Sequence, residues 1–390
     1  MQRIIRTSLL MFLLALVCAL FCSCGGTTVY YDYREIENLV IIETIGIDSS
    51  PSGVTVTVCS GTALDKTAPR IIKATAPTIA QALDAIQHDP SASSPFYSHV
   101  DHVVIGEQAA SEGVARYLDY IFRTTEIRFG ANMFIVKGGD ASELIETVSS
   151  DSVSVTEMLS SIEDTIGKTG KGVLFSCEEV SANIAENGSS VALAIERGGG
   201  DGMTAVPAGL AVLDEGSLTG FVPKELAHSA SVLLGARSLG TITVESESGG
   251  RTVLKYSYVS ADVKPMFSDG EMSGLEITVT CRFNVEEAEE DIDLLDSETR
   301  RALAAAAASQ ELENVSAVVR LSQQMNTDFL GIKKHAAIKA PVKTAKMTVP
   351  WEEAYPSAAV EINVNAMLER TYDLSNPIDE GGGKLIEAHR

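Results

Sequence analysis

The chain has 390 residues, 45% hydrophobic and 21% charged, which is ample material for packed cores and too apolar for a disordered chain. Its 53 acidic residues against 30 basic ones give a formal charge of −23. Such a surface repels nucleic acid and anionic headgroups, so a basic-patch binding role is excluded; the length suggests two or three domains.

Arg3 and Arg6 open the chain, an apolar core runs from Leu9 to Phe21, and Ser23-Cys24-Gly25-Gly26 follows. A positive start and about 13 apolar residues make a secretory signal, whereas a spanning helix needs about 20. No basic stop-transfer cluster follows. A lipoprotein peptidase needs a small residue before the cut and a cysteine after it, whose thiol takes the diacylglyceryl group. Cys24, between Ser23 and Gly25, fits; Cys22 follows bulky Phe21, and Cys18 lies inside the apolar core. The expectation is cleavage after Ser23 and a lipid on Cys24. The other cysteines, Cys59, Cys177 and Cys281, are odd in number and far apart, so they form no complete disulfide framework; Cys59 and Cys281, in alternating apolar segments, are read as buried free thiols.

Beyond the anchor, strands are expected around Leu39–Ile47 and Val54–Cys59, separated by a Ser/Pro/Gly turn. "TIAQALDAIQHD", with Thr78 as cap, and "SEGVARYLDYIFRT" carry helical spacing, and "HVDHVVIGE" and "ANMFIVKG" read as strands between and after them. Alternating strands and helices make this a mixed α/β domain. "RGGGDG", Arg197 to Gly202, reads as a linker, since no Lys-Ser/Thr or clean helix start follows it as a phosphate loop requires. A hairpin around "DEGS" and a short helix come next. Three alternating segments from Thr241 read as antiparallel strands. A long alanine-rich helix, about Ser297 to Met325, and a last strand, Val360 to Leu368, complete the pattern. The fold class is therefore α+β or mixed α/β, with sheets flanked by helices behind a cleaved lipoprotein signal peptide. The expected divisions are a signal peptide at 1–23, a lipid-anchored linker at 24–31, an N-terminal α/β domain at 32–196, a small middle domain at 203–240, a C-terminal α/β domain at 241–375 and a disordered tail at 376–390.

The sequence holds no GxSxG elbow, no GxGxxG after a strand, no Walker loop and no HExxH. His99 and His102 flank Asp101, but on a strand positions three apart face opposite sides, and no third ligand is near in sequence. No catalytic residue, metal or cofactor is assigned.

Several stretches together resemble the Ger(x)C spore germination proteins, the lipoprotein C subunits of nutrient germinant receptors. "YDYREIENLVIIETIGID" carries the opening motif at Tyr31, Asp32, Arg34 and Glu35, and its strand end at Gly46, Ile47 and Asp48. The segment Phe96 to Ile145 matches at Gly106, Glu107, Gly113, Leu118, Asp119, Arg123, Glu126, Ile127 and Arg128. "GLAVLDEGSLTGFV", "LSQQMNTDFLGI" with Asp328, and "PWEEAYPSAAVEINVN" match further on. The family's tryptophan directly after the lipidated cysteine is absent; six residues intervene and the aromatic is Tyr31.

The resemblance implies three domains, each a sheet flanked by helices. It implies a body held by lipid on the outer face of the inner spore membrane, in complex with two integral-membrane receptor subunits, needed for assembly and germination signalling and without catalysis. Asp32, Arg34 and Glu35 are candidate partner contacts. Gly46, Asp48, Gly106, Glu107, Arg123, Glu126, Arg128 and Asp328 are expected to be structural, with Arg123, Glu126 and Arg128 forming an internal ion-pair network that Arg128→Glu would break. The competing reading is a lipid-anchored solute-binding protein that captures a nutrient in a cleft between domains.

Overall fold

The computed structural model describes residues 39–370, apart from 62–67, 90–93, 150–152, 199–203, 237–238, 246–249, 269, 290–293 and 295. The second of the two units into which the chain divides, Val40–Arg390, holds all but the first of these. Cys24, Asp32, Arg34 and Glu35 lie outside the described residues, as does the expected tail.

The first sheet is built from β1 (Leu39–Ser50), β2 (Gly53–Ser60), β3 (Ile71–Ala76), β4 (Ser94–Phe96), β5 (His102–Ile105), β6 (Asn132–Val136), β7 (Ser189–Gly198), β8 (Thr204–Asp214) and β9 (Ser217–Val222). Its order is β3-β2-β1-β5-β6-β7-β8-β9, with β4 beside β1. The centre, β1-β5-β6-β7, is parallel, and both flanks are antiparallel. Strands covered on both faces should read as continuous apolar runs, and β5 is buried at all four positions. Helices α1 (Ile79–Gln87), α2 (Glu107–Ser111), α3 (Ala115–Arg123), α4 (Ala141–Val148), α5 (Val155–Thr169) and α6 (Cys177–Asn187) lie between the strands in sequence. Period-two alternation sends Val103, Ile105, Met133 and Ile135 to the face that packs with Ile79, Leu83, Leu118 and Cys177. Val104, Phe134 and Leu193 go to the opposite face, with Leu144 and Leu159.

That second face does not end with the first sheet. Its cluster runs through α7 (Ala227–Leu233) into a second sheet of β10 (Thr241–Glu245), β11 (Arg251–Ser268), β12 (Glu271–Ala288) and β13 (Ala359–Arg370). The first three are antiparallel, while β13 lies parallel to β12. Parallel pairing requires a crossover. Here α8 (Ser297–Gln324), α9 (Ile332–Lys339), α10 (Pro341–Thr344) and α11 (Trp351–Ala354) supply it. Asp296 caps α8, its Oδ2 accepting from Thr299 N at 2.9 Å. The alanine run gives α8 a narrow face: Leu303, Ala307, Val315, Val318 and Val319 are buried.

The glycine-rich stretch read as a linker joins two paired strands, with Arg197 opposite Ala205 and Gly198 opposite Thr204. The expected middle hairpin, β8 and β9, is likewise the edge of the first sheet, so the described residues form two sheets. Glu215 (φ 49°) and Gly216 (φ 84°) turn that hairpin in the left-handed region, as a two-residue loop between twisted strands demands. Thr78 Oγ1 accepts from Gln81 N, as its capping position predicts.

Ala307 is fully buried and Ala305, on the same run, is exposed. Ala307→Leu is expected to cost about 1–3 kcal/mol by overpacking, and Ala305→Leu to stay within about 0.5 kcal/mol. Urea melts of the two variants check this; equal effects would place α8 differently on its sheet.

Candidate functional site: two buried aspartates that seat helices

β1 and β5 run side by side, with Gly46 opposite Val104 and Ile47 opposite Ile105, so the two resemblance motifs end together. Gly106 N donates to Ile47 O at 2.9 Å. Asp48, 3% exposed, points across the strand ends at the start of α4. Its Oδ1 accepts from Ala141 N at 2.6 Å and its Oδ2 from Ser142 N at 2.8 Å. The preceding residue, Asp140, makes no side-chain cap of its own, so the cap comes from a strand 93 positions away. First-turn amides and the helix dipole both favour a carboxylate there. Burial raises the Asp48 pKa from its ordinary value, and the two amides pull it back.

The glycines follow from this geometry. A Cβ at Gly46 would stand 2.6 Å from Ile145 Cδ1, and one at Gly106 would stand 2.3 Å from Asp48 Oδ1. Neither position has room for a side chain while α4 sits on the sheet. Glu107 closes the same corner: its N donates to Gly139 O at 3.1 Å and its carboxylate accepts from Gly138 N. Gly46, Asp48, Gly106 and Glu107 therefore form one constellation at the carboxyl ends of β1 and β5, the edge where open α/β sheets bind ligands. Here that edge is filled by the seat of α4.

Asp328 repeats the device in the second half. Its Oδ1 accepts from Ile332 N at 2.9 Å, and its Oδ2 from Lys333 N at 2.6 Å and Trp351 Nε1 at 3.1 Å. It thus caps α9, whose own N-cap, Gly331 at φ 68°, has no side chain to offer. Its backbone oxygen accepts from Ser189 Oγ at 2.8 Å, tying α9 to β7 of the first sheet. Trp351 stacks on Tyr355, whose hydroxyl donates to Ser322 Oγ at 2.8 Å. Burial pushes Asp328 up to about 7 against these donors.

Arg123, Glu126 and Arg128 do not form the expected network. Arg123 pairs with Asp119 one helical turn back at 2.9 Å, and Arg128 pairs with Asp101; all four side chains are half or more exposed. Glu126 is exposed and makes no ion pair among the described residues. The buried member of the segment is Ile127, and it anchors the turn instead. His102 is buried in β5, its Nε2 3.1 Å from Glu163 Oε1, which also accepts from Asn132 Nδ2 at 2.7 Å. Among the described residues no group of His, Cys, Asp and Glu is placed to hold a metal. Cys59, Cys177 and Cys281 are buried free thiols, with Cys59 pushed up to about 11 and the other two to about 12 by burial.

Two measurements test these placements. The folded pKa of Asp328, about 7, lies above the unfolded value of roughly 3.9. Its contribution to stability is therefore complete below about pH 4 and lost as pH rises through about 7. In urea melts the stability gap between the parent and Asp328→Asn should narrow over that interval; a gap that widens with pH would make the ionised carboxylate the favoured form. Arg128→Glu, set beside half-exposed Asp101, should cost under about 1 kcal/mol and leave the protein folded, whereas loss of soluble protein would restore an internal role for the arginine.

Comparison with known families finds two matches. Residues 32–196 match the spore germination protein N-terminal domain, and residues 208–372 match the C-terminal domain described as spore germination B3/GerAC like. Comparison with curated proteins finds no match. Among solved structures, the crystal structure of the GerBC protein shares the fold at a TM-score of 0.58 and 14% identity, covering 84% of this chain and 97% of that one. The two domain matches take in most of the chain in the family's order, and the chain belongs to the Ger(x)C family of spore germination proteins.

Proposed function

We propose that this protein is a non-catalytic, lipid-anchored subunit of a spore nutrient germinant receptor, held on the outer face of the inner spore membrane and working by contact with two integral-membrane subunits. The observation that carries the anchor is the leader: an apolar core too short to span, ending at Ser23-Cys24-Gly25. No helix among the described residues is long and apolar enough to cross a membrane. Two ester-linked chains on one cysteine give stable retention where a single chain would not. Family membership supports the part in germination.

The geometry favours contact over chemistry. The carboxylates at the carboxyl edge of the first sheet and at the start of α9 are committed to backbone amides, which fixes helices against strands. Asp32, Arg34 and Glu35, next to the anchor in sequence, are the proposed partner contacts. Their alternating charges complement a loop of opposite pattern more readily than a uniformly anionic headgroup layer.

The test is fractionation of spore membranes. The parent protein should be retained with an acylated residue 24 as its first residue and should bring two integral-membrane subunits with it on purification. Cys24→Ala should move to the soluble fraction and bring neither. A mature chain that is unacylated, or that begins elsewhere, would overturn the anchor; an acylated chain that purifies alone would overturn the complex.

A further inference from the structure

A cavity of about 530 Å3 opens where the first sheet's helices meet the second sheet. Its walls include Lys171 just after α5, Lys224 and His228 around the start of α7, Tyr256 of β11 and Glu311 of α8. Lys171 belongs to the N-terminal family match and the others to the C-terminal one, so the cavity sits on the seam between them.

Its polar lining is ordered from one end to the other. Glu311 is 1% exposed, and its Oε2 accepts from the Tyr256 hydroxyl at 2.8 Å while its Oε1 accepts from Ser229 Oγ at 3.4 Å. The Tyr256 ring packs against the His228 imidazole at a tilt of 31°, centroids 4.6 Å apart. His228 Nε2 is buried and has no hydrogen-bond partner among the described residues. A buried polar atom left this way costs free energy. Gly240 packs close beside it, since a Cβ there would stand 3.6 Å from Nε2 and 2.5 Å from Thr169 O. Burial, reinforced by the nearby Lys171 ammonium, pushes His228 down to about 4. The ring is therefore neutral at pH 7, and with its proton on Nδ1 it offers Nε2 as an acceptor.

The lysines are the second observation. In a chain with 53 acidic residues, carboxylate partners are plentiful. Lys333, Lys334 and Lys339, for example, each hold one. Lys171 and Lys224, both exposed, hold none among the described residues, as is also true of Lys137, Lys343 and Lys346, but these two line one cavity, with Glu225 beside them. Two unpaired ammoniums and an unpaired imidazole nitrogen thus share one concave space of ligand size.

We propose that this cavity binds a small carboxylate that also carries a hydrogen-bond donor, as hydroxy- and amino-carboxylates do. Lys171 and Lys224 meet the carboxylate, and His228 Nε2 accepts from the hydroxyl or ammonium. The buried Glu311 accepts from the Tyr256 hydroxyl, and the Tyr256 ring in turn packs against the imidazole and holds it in place. A ligand seated here touches both halves of the protein and stabilises the seam. This gives the solute-capture reading a location, and it does not rest on the lipid anchor.

The test is calorimetric titration and thermal melting of the full chain in detergent with a panel of hydroxy- and amino-carboxylates of two to six carbons. The simple carboxylates and the polyol glycerol serve as comparisons. Members of the panel should bind and raise Tm, simple carboxylates should bind more weakly, and glycerol should do neither. The hydroxy and amino arms show which donor the site takes. The double variant Lys171→Ala/Lys224→Ala should melt like the parent without ligand and lose at least about tenfold in affinity. His228→Phe keeps the aromatic contact with Tyr256 and should abolish the preference over simple carboxylates. No binding by any panel member, or binding unchanged in the double variant, would overturn the site. Membrane retention of Cys24→Ala is read separately, so failure of one proposal does not imitate failure of the other.

Discussion

A buried carboxylate laid on the first turn of a helix it does not belong to is the interaction on which this architecture turns. An isolated ionised carboxylate away from water costs several kcal/mol, so one is tolerated only where donors already point at it. The free amides of a helix N-terminus are such donors. Asp48 meets two of them at α4, and Asp328 meets two at α9 together with an indole N–H, although burial outweighs these donors and still lifts Asp328 to about 7. In each case the helix could not shift by one residue without leaving both the acid and the amides unpaired in the interior. The aspartates therefore set register, which apolar packing alone specifies weakly.

The two seats are linked through the core. α4 covers the sheet face whose apolar cluster continues into the second sheet, and the residue that seats α9 also accepts from Ser189 on β7. The halves matched by two family models thus share one cluster of buried side chains and one sheet edge. Where the seam admits polar groups, at Glu311, Tyr256 and His228, they form a chain in which each side chain positions the next. A polar chain of this kind is costly if half satisfied, which is why the buried, unpartnered Nε2 of His228 stands out.

Much of this was legible in the sequence, for reasons that can be named. β10, β11 and β12 alternate cleanly because one face packs and the other is solvated. The alanine run announces α8, and Asp-Glu-Gly-Ser announces the β8–β9 turn. The segment 141–198 was not legible, although α4 to α6 and β7 lie there. α6 buries only Cys177 and Val180, too few for a helical stripe, and the apolar run of β7 carries no alternation because both of its faces are covered. Pattern also gives no strand direction, so the parallel pairing of β13 emerges only with the crossover in view. Asp48 and Asp328 were marked by resemblance alone: an acid's burial is decided by amides that fold up against it, and at Asp48 those amides lie 93 residues on. Arg123 and Arg128 misled in the other direction, since closeness in sequence suggested one network where each arginine had its own exposed partner.

Charge distribution bears on what the folded body can touch. The stretch 332–347 carries five lysines and no carboxylate, and it displays Ile338 and Val342 to solvent, which taken alone would suggest a site for anionic lipid. Its charge is spent inside the molecule. Lys333 pairs with Glu352, Lys334 with Glu186 and Lys339 with Asp262, while the Lys343 ammonium lies over the Phe267 ring. What remains cannot offset a net charge of −23. Repulsion from an anionic bilayer decays within roughly 8 Å at physiological ionic strength, so the anchoring proposed above would not be opposed by the acidic body once that body stood one Debye length away. At that distance the proposed partners, protein surfaces that rise above the headgroups or small solutes reaching the seam, would meet the body free of that repulsion.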